Sequence, residues 1–140
     1  MRAVGLDLGA RRIGVAVSDS EGVLATPYTV IPRSGDDVAD RARIADVVRE
    51  LAAEAVVVGL PLSLDGSVGP AATAAEAEAV ALGQVLDVPV ECHDERLSTV
   101  SAERSLAASG VKGAARRKVV DQVAAAVLLQ SWLDSRRTLR

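Results

Sequence analysis

The order of apolar runs along the chain is the feature that most narrows the possible folds. Three short runs joined by tight turns occupy residues 3–8, 13–18 and 23–30. From residue 37 onwards, apolar residues recur with a helical period, and helical segments alternate with short continuous apolar runs. Adjacent strands joined by short turns pair antiparallel, whereas strands separated by helices pair parallel. The sequence therefore predicts a mixed α/β sheet.

The same pattern gives approximate bounds for each element. The predicted strands are 3–8, 13–18, 23–30, 55–59 and 89–93, and the predicted helices are 37–54, 70–86, 99–108 and 119–135. Asp36 or Asp37 can cap the first helix, and Pro70 suits the first position of the second. No repeat or linker interrupts this order. We expect a single domain over residues 1–140, with a five-stranded mixed sheet and helices on both faces.

Composition narrows the function classes. The chain has one Trp, one Tyr and no Phe, so its core must come from Val, Leu, Ile and Ala. This scarcity argues against modules that stack unpaired bases on aromatic side chains. The net charge of −3 argues against a passive basic binder of nucleic acid. A metal-dependent nuclease is compatible with that charge, because its carboxylates bring in positive charge as metal ions.

Cysteine content and apolar run length predict the cellular compartment of the protein. Cys92 is the single cysteine, so the chain can form neither an internal disulfide nor a cysteine metal cluster. No run approaches the roughly 18 apolar residues of a membrane span, and the first residues lack the form of a signal peptide. We expect a reducing, cytoplasmic location and no membrane partner.

Asp7 is the first candidate functional residue. It lies in the first predicted strand, where alternation places Gly5, Asp7 and Gly9 on the face opposite Val4 and Leu6. A buried acid without compensation is costly, and glycines beside it would leave room for a ligand. The alternative is a charge that caps the following turn, near Arg11 and Arg12.

Asp94 and Glu95 form a second candidate group, at the end of the fifth predicted strand. Ligands collect beyond the carboxyl ends of parallel strands, which favours a functional role. The alternative is that Asp94, Ser98 or Thr99 caps the next helix while Glu95 is a surface charge. Spacing alone does not distinguish between the two acids.

Asp121 is the only acid in the apolar stretch 119–133. Helical spacing places it on one stripe with Ala125, Leu128 and Trp132, which predicts that it faces the sheet. The alternative is an acid in the first turn of a helix, where the helix dipole favours negative charge.

Together these carboxylates predict a metal site at one edge of the sheet. Mg²⁺ and Mn²⁺ prefer carboxylate oxygen and water as ligands. Two such ions about 4 Å apart can activate water and stabilise the leaving oxygen of a phosphodiester. The lone histidine, His93, has no catalytic triad around it and is interpreted as structural.

Four ordered blocks resemble the YqgF, or RuvX, family of Holliday-junction-resolvase-like proteins, also described as pre-16S rRNA nucleases. The blocks are GLDLG at 5–9 with RIGVA at 12–16, VGLPL at 58–62 with DGS at 65–67, DERLST at 94–99, and DQVAA at 121–125 with LLQ at 128–130. The resemblance implies a ribonuclease-H-like fold and cytoplasmic processing of the 5′ end of pre-16S rRNA. It also implies a two-metal site for Mg²⁺ or Mn²⁺.

The resemblance assigns roles to individual residues. Asp7 matches an acid that bridges both metals, Glu95 matches the second acid, and Asp121 matches the acid that opens the last helix. Three further residues are implied to hold substrate phosphates: Arg12, Arg96 and Thr99, along with the basic run before residue 119. The loop 59–69 resembles a lip over the site, and its Asp65 is interpreted as a turn residue.

Three other function classes are alternatives to an rRNA nuclease. Sugar kinases and actin-like ATPases begin with a similar strand, but they need two lobes and this chain has room for one. The first alternative is a Holliday junction resolvase acting on four-way DNA, which needs two sites and hence a homodimer. The second is a non-catalytic module that binds rRNA or a ribosome-assembly partner. Clustered negative charge next to phosphate argues against such a module. Monomer and homodimer both stay open.

Overall fold

The computed structural model describes residues 1–97 and 114–138, with the side chains of the last helix described from Gln122 to Arg137. The strands are β1 (Ala3–Leu8), β2 (Arg12–Ser18), β3 (Ala25–Pro32), β4 (Ala55–Leu60) and β5 (Val90–Asp94). The helices are α1 (Asp37–Glu50), α2 (Pro70–Val85) and α3 (Ala114–Thr138), and a 3₁₀ turn covers Glu95–Leu97.

The strands form one mixed sheet in the order β3-β2-β1-β4-β5. β1, β2 and β3 pair antiparallel as a meander. β4 pairs parallel with β1, and β5 pairs parallel with β4. The predicted five-stranded mixed sheet is confirmed, and β1 is its central strand.

Side-chain alternation divides the core into two layers, as expected for a pleated sheet. One layer packs between the sheet and the helices α1 and α2; its buried members include Val4, Leu6, Ile44, Val58 and Leu82. The other layer packs between the sheet and α3; it contains Ala3, Ala16, Ala55, Val57, Ala125, Leu129, Trp132 and Leu133. Helices therefore cover both faces, as predicted.

The α3 layer is built from small strand residues because the helix lies very close to the sheet. A Cβ atom on Gly5 would lie 2.8 Å from the Cβ of Leu129 and 3.1 Å from the carbonyl oxygen of Ala125. Only a glycine in β1 allows this approach.

We therefore expect Gly5→Ala to lower the free energy of unfolding by about 1–3 kcal/mol, because the added methyl group overpacks the helix–sheet contact. Urea denaturation measures the change. Gly83→Ala is the matched control: nothing lies within 4 Å of a Cβ there. A helical glycine-to-alanine change should raise stability by about 0.5–1 kcal/mol. A Gly5→Ala protein as stable as the wild type would contradict this packing.

Two predicted boundaries shift for local reasons. β3 begins at Ala25 instead of residue 23, because Asp19 accepts hydrogen bonds from the backbone N–H groups of Val23 (2.7 Å) and Leu24 (3.2 Å) and holds both in a turn. α1 ends at Glu50 instead of residue 54, because Ala52 adopts a positive φ of 53° that no helix continues through.

The last helix differs more from its prediction. It begins at Ala114, five residues before the predicted start at 119, and ends at Thr138. The basic run at 116–118 thus belongs to the helix instead of preceding it. The predicted helix 99–108 lies outside the described residues. In the described part of the chain, no helix combines the length and apolarity that a membrane crossing requires.

Candidate active site at the carboxyl edge of the parallel strands

Asp7 lies near the carboxyl end of β1 and is 1% exposed. Its direct partner on β2 is Gly14. On the other side, the parallel register pairs Leu6 with Val58, and continuing it by one residue brings Gly59 beside Asp7. Strand neighbours share a face, so glycines flank Asp7 on both adjoining strands. The buried carboxyl group lies in a part of the α3 face where neighbouring strands carry no side chains.

Glu95 approaches the same place from β5. It is the first residue of the 3₁₀ turn after that strand and is 2% exposed. Its Oε1 atom lies 2.6 Å from where a Cβ on Gly59 would be, and Leu128 of α3 lies 3.1 Å from that position. The Glu95 carboxyl group therefore lies over β4. Because adjacent strands are about 4.8 Å apart, this position is next to Asp7 on β1. Two buried carboxyl groups meet at one edge of the sheet, on one face.

The electrostatics of Glu95 follow from this position. Burial, and secondarily the negative charge of Asp94, raise the pKa of Glu95 from 4.5 to about 7. A group with this pKa readily gives up its proton when a cation binds next to it.

The direction in which α3 crosses the sheet gives the position of the Asp121 backbone. Ala125 and Leu129 contact Gly5, whereas Leu133 lies 3.8 Å from a Cβ position on Gly22, beside the amino end of β1. The helix therefore runs from the carboxyl edge of β1 towards its amino end, and residue 121 is one turn nearer that edge than Ala125. Its side chain is outside the described part. Because α3 begins at Ala114, Asp121 is not in the first turn, and the helix-dipole alternative is wrong.

The predicted phosphate ligands differ in their positions. Arg12 begins β2, is half-exposed, and shares the face of Gly14 by alternation. That places it two residues from the partner of Asp7. Thr99 lies outside the described residues.

Arg96 is bound to its neighbour Asp94. Its Nη2 donates to Oδ2 of Asp94 at 2.7 Å, its Nε at 3.1 Å, and its backbone N–H donates to Oδ1 at 2.9 Å. These hydrogen bonds hold the pKa of Asp94 below its ordinary value. Nη1 of Arg96 also donates to the carbonyl of Leu64 at 3.4 Å. The two acids that spacing could not distinguish thus differ: Asp94 pairs with an arginine, whereas Glu95 is buried beside Gly59.

The loop after β4 is closed by turn hydrogen bonds. Asp65 accepts from the backbone N–H of Ser67 at 2.9 Å, and Gly66 has a positive φ of 88° and donates to the carbonyl of Ser63 at 2.8 Å. Asp65 is therefore a turn residue, as the sequence favoured. Gly66 lies against the guanidinium of Arg96, so the loop is held next to the end of β5.

His93 connects β5 to α3. It pairs with Gly59 in the sheet, is 9% exposed, and its Nε2 lies 3.0 Å from Oγ of Ser131. Burial lowers its pKa, which favours the neutral ring. These contacts agree with a structural role.

Gly59 contributes to the site although its sequence position predicted no role for it. The available signal was a glycine within a valine-rich strand, which often marks a close approach. Among the side chains that the structure describes, no group of three or more His, Cys, Asp or Glu residues is placed to hold a metal ion. The described site therefore consists of Asp7 and Glu95, with residue 121 placed by its backbone.

Comparison with known proteins agrees with this geometry. Residues 1–135 match the family described as "RuvX: Holliday junction resolvase". A protein of Rhodococcus opacus (strain B4), named "Putative pre-16S rRNA nuclease", is 50% identical over 96% of this chain and 78% of its own length. A protein of the same name from Myxococcus xanthus (strain DK1622) is 51% identical over 98% of this chain and 90% of its own length.

Solved structures show the same architecture. The structure of Thermus thermophilus RuvC in complex with a Holliday junction substrate aligns with a TM-score of 0.61 at 17% identity. The alignment covers 98% of this chain and 96% of that one. At this identity the similarity shows the fold alone, and the predicted ribonuclease-H-like fold is confirmed.

Proposed function

Since the chain belongs to the RuvX family of Holliday junction resolvases, we propose that it is a metal-dependent nuclease that processes the 5′ end of pre-16S rRNA in the cytoplasm. The observation that carries the proposal is the meeting of two buried carboxyl groups, Asp7 and Glu95, at the carboxyl edge of the parallel strands. The names of the relatives at about 50% identity support RNA as the substrate.

The residues present fit a divalent cation such as Mg²⁺ or Mn²⁺. Both described donors are carboxyl oxygens, which hard cations prefer. The charged form of Glu95 is disfavoured by burial, and a bound cation would compensate for that cost. We propose Asp7, Glu95 and Asp121 as the ligand set. When bound, such ions supply Lewis acidity and lower the pKa of water.

The residues around the proposed metal site have different roles. Asp7, on the central strand, and Glu95, just after β5, would hold the cation, and Glu95 would release its proton to do so. Gly59 leaves room on β4 for the Glu95 carboxyl group, Gly14 leaves the other side of Asp7 without a side chain, and α3 closes the face behind them. Hydrolysis would need no nucleophilic side chain, because water would form the new P–O bond while the P–O bond to the leaving nucleotide oxygen breaks and that oxygen takes up a proton.

Phosphate binding is proposed for Arg12, Arg96 and Thr99. Arg12 has the best support, since it is half-exposed on the face of Asp7. Arg96 already pairs with Asp94, so we expect it to contribute chiefly by fixing the loop after β4 beside the site.

The substrate is tested by incubating the purified protein with a 5′-extended 16S rRNA precursor and, in parallel, with a four-way DNA junction. Each reaction contains Mg²⁺ or Mn²⁺, with a chelator control. Metal-dependent cutting of the RNA is expected. Paired symmetric nicks in the junction alone would contradict an rRNA substrate and indicate a dimeric resolvase. Binding of RNA without cutting under any metal condition would indicate a non-catalytic module that binds rRNA or a ribosome-assembly partner.

Gly59→Ala is expected to reduce cleavage about a hundredfold, because its Cβ would lie 2.6 Å from Oε1 of Glu95 and displace that carboxyl group. A displacement of about 1 Å can cost about 10²-fold in rate. Single-turnover cleavage of the precursor RNA measures the effect, with Gly83→Ala as the control. Unchanged cleavage by a folded Gly59→Ala protein would show that the position of Glu95 does not matter.

A further inference from the structure

A cleft of about 670 Å³ leads away from the proposed catalytic edge. Glu95 and Gly59 line one part of it, and Arg33, Asp37 and residues of α2 line the rest. The cleft therefore joins the carboxyl edge of the strands to the side of the sheet covered by α1 and α2.

Arg33 is a fixed positive charge in this cleft. Its Nε donates to the carbonyl of Gly9 at 2.7 Å, and its backbone N–H donates to the carbonyl of Arg11 at 2.9 Å. Gly9 is two residues beyond Asp7 in the chain. The guanidinium is thus held against the turn that follows the catalytic strand, and its side chain is only half-exposed.

The other arginine among the described residues that line the cleft is already paired. Arg41 forms an ion pair with Glu78, with Nε 2.8 Å from Oε2. Asp37 lies exposed in the first turn of α1, whose N-terminus is already capped by Asp36. Within residues 1–97 and 122–137, no carboxylate forms an ion pair with Arg33. Arg33 is therefore the cation of this cleft that can bind an incoming anion.

The opposite wall of the cleft is smooth. It is formed by small apolar residues: Pro61 after β4, and Ala71, Ala74, Ala75 and Ala77 of α2. No side chain in this set reaches beyond a methyl group or a proline ring, so a flexible chain can lie flat against it.

We propose that this cleft is a subsite for the nucleic-acid strand next to the scissile bond. Arg33 binds a backbone phosphate there, and the alanine wall of α2 contacts the sugar of the adjacent nucleotide. An arginine is suited to this task because its guanidinium can donate two hydrogen bonds to one phosphate. The inference rests on the proposed nuclease function and adds a binding site outside its acidic residues.

The test measures RNA binding by fluorescence anisotropy in an Asp7→Asn background, so that no cleavage occurs. The ligand is a labelled fragment of the 5′-extended 16S rRNA precursor, titrated at several salt concentrations with Mg²⁺. Arg33→Gln should raise the Kd about tenfold and reduce the slope of log Kd against log salt by about 0.7–1. Arg33→Lys should keep the slope, because the positive charge remains. Arg43→Gln, an exposed arginine of α1 outside the cleft, should change neither quantity.

A second pair of variants tests the wall without touching Arg33. Ala74→Glu adds a negative charge on the exposed, cleft-lining face of α2, and it should raise the Kd about tenfold by repelling phosphate. Val80→Glu adds the same charge elsewhere on α2, at a residue that is 64% exposed, and should leave the Kd unchanged.

These experiments distinguish failure of the proposed subsite from failure of the proposed nuclease function. If the background protein binds RNA but Arg33→Gln keeps the parental salt slope, the subsite is wrong while the proposed function stands. If the background protein does not bind RNA and the wild type does not cut it, both proposals are overturned. A merely structural role for Arg33 would lower thermal stability without changing the salt slope.

Discussion

Asp7→Asn is expected to reduce metal-dependent cleavage at least about a thousandfold while leaving the fold intact. Asn keeps the shape of Asp but not its charge, and a cation held by carboxylates loses several kcal/mol of transition-state stabilisation when one ligand is lost. Asp7 is 1% exposed in the central strand, so the packing around it holds an Asn side chain in the same position. Single-turnover cleavage of the precursor RNA measures the loss.

The control for Asp7→Asn is Asp46→Asn, which removes the same charge from an exposed position on α1. That variant should cut at the wild-type rate. Circular dichroism and thermal melting establish that both proteins are folded. Full activity in a folded Asp7→Asn protein would contradict the assignment of Asp7 as a metal ligand.

Glu95→Gln is expected to have two opposite effects, a loss of cleavage of about a hundredfold or more and a gain in stability at alkaline pH. The loss follows from removing a proposed metal ligand. The gain follows from the pKa of about 7 in the folded protein, which is raised above the ordinary 4.5 by burial and by Asp94. An ionised, buried carboxylate destabilises the metal-free fold, and the amide removes that cost.

The direction of the Glu95 pKa shift determines the pH range in which the stability of the fold changes. With a raised folded-state pKa, the favourable contribution of Glu95 is complete below pH 4.5 and is lost as the pH rises to about 7. The metal-free Glu95→Gln protein should therefore match the wild type at pH 4 and exceed it at pH 8 by up to about 3 kcal/mol. Urea denaturation with chelator at both pH values measures this. Equal stability at pH 8 would show that Glu95 is not buried in an unfavourable charged form.

Much of the fold could be predicted from the pattern of apolar residues. Short apolar runs joined by turns, followed by helical periods, predicted five strands in their order along the chain and their mixed pairing, but not their order across the sheet. Element ends were less predictable because they depend on local hydrogen bonds, such as those from Val23 and Leu24 to Asp19. The early start of α3 also escaped prediction, since Arg and Lys at 116–118 interrupt the apolar pattern without interrupting the helix.

The candidate site was predictable in its residue types but not in its arrangement. Asp7 and Glu95 could be proposed from strand position and family resemblance. The pairing of Asp94 with Arg96 could not, because it depends on the backbone bending into a 3₁₀ turn after β5. The role of Gly59 could not be predicted either, because it depends on the Glu95 carboxyl group occupying the space that a side chain at residue 59 would fill.

A crystal structure of the protein grown with Mn²⁺, with the ions located by anomalous scattering, would show whether Asp7 and Glu95 bind the metal together. We expect Mn²⁺ within coordination distance of carboxylate oxygens of both Asp7 and Glu95, and its loss in Asp7→Asn crystals grown under the same conditions. Mn²⁺ bound elsewhere, with the carboxyl edge of β1 and β4 empty at saturating concentration, would contradict this expectation.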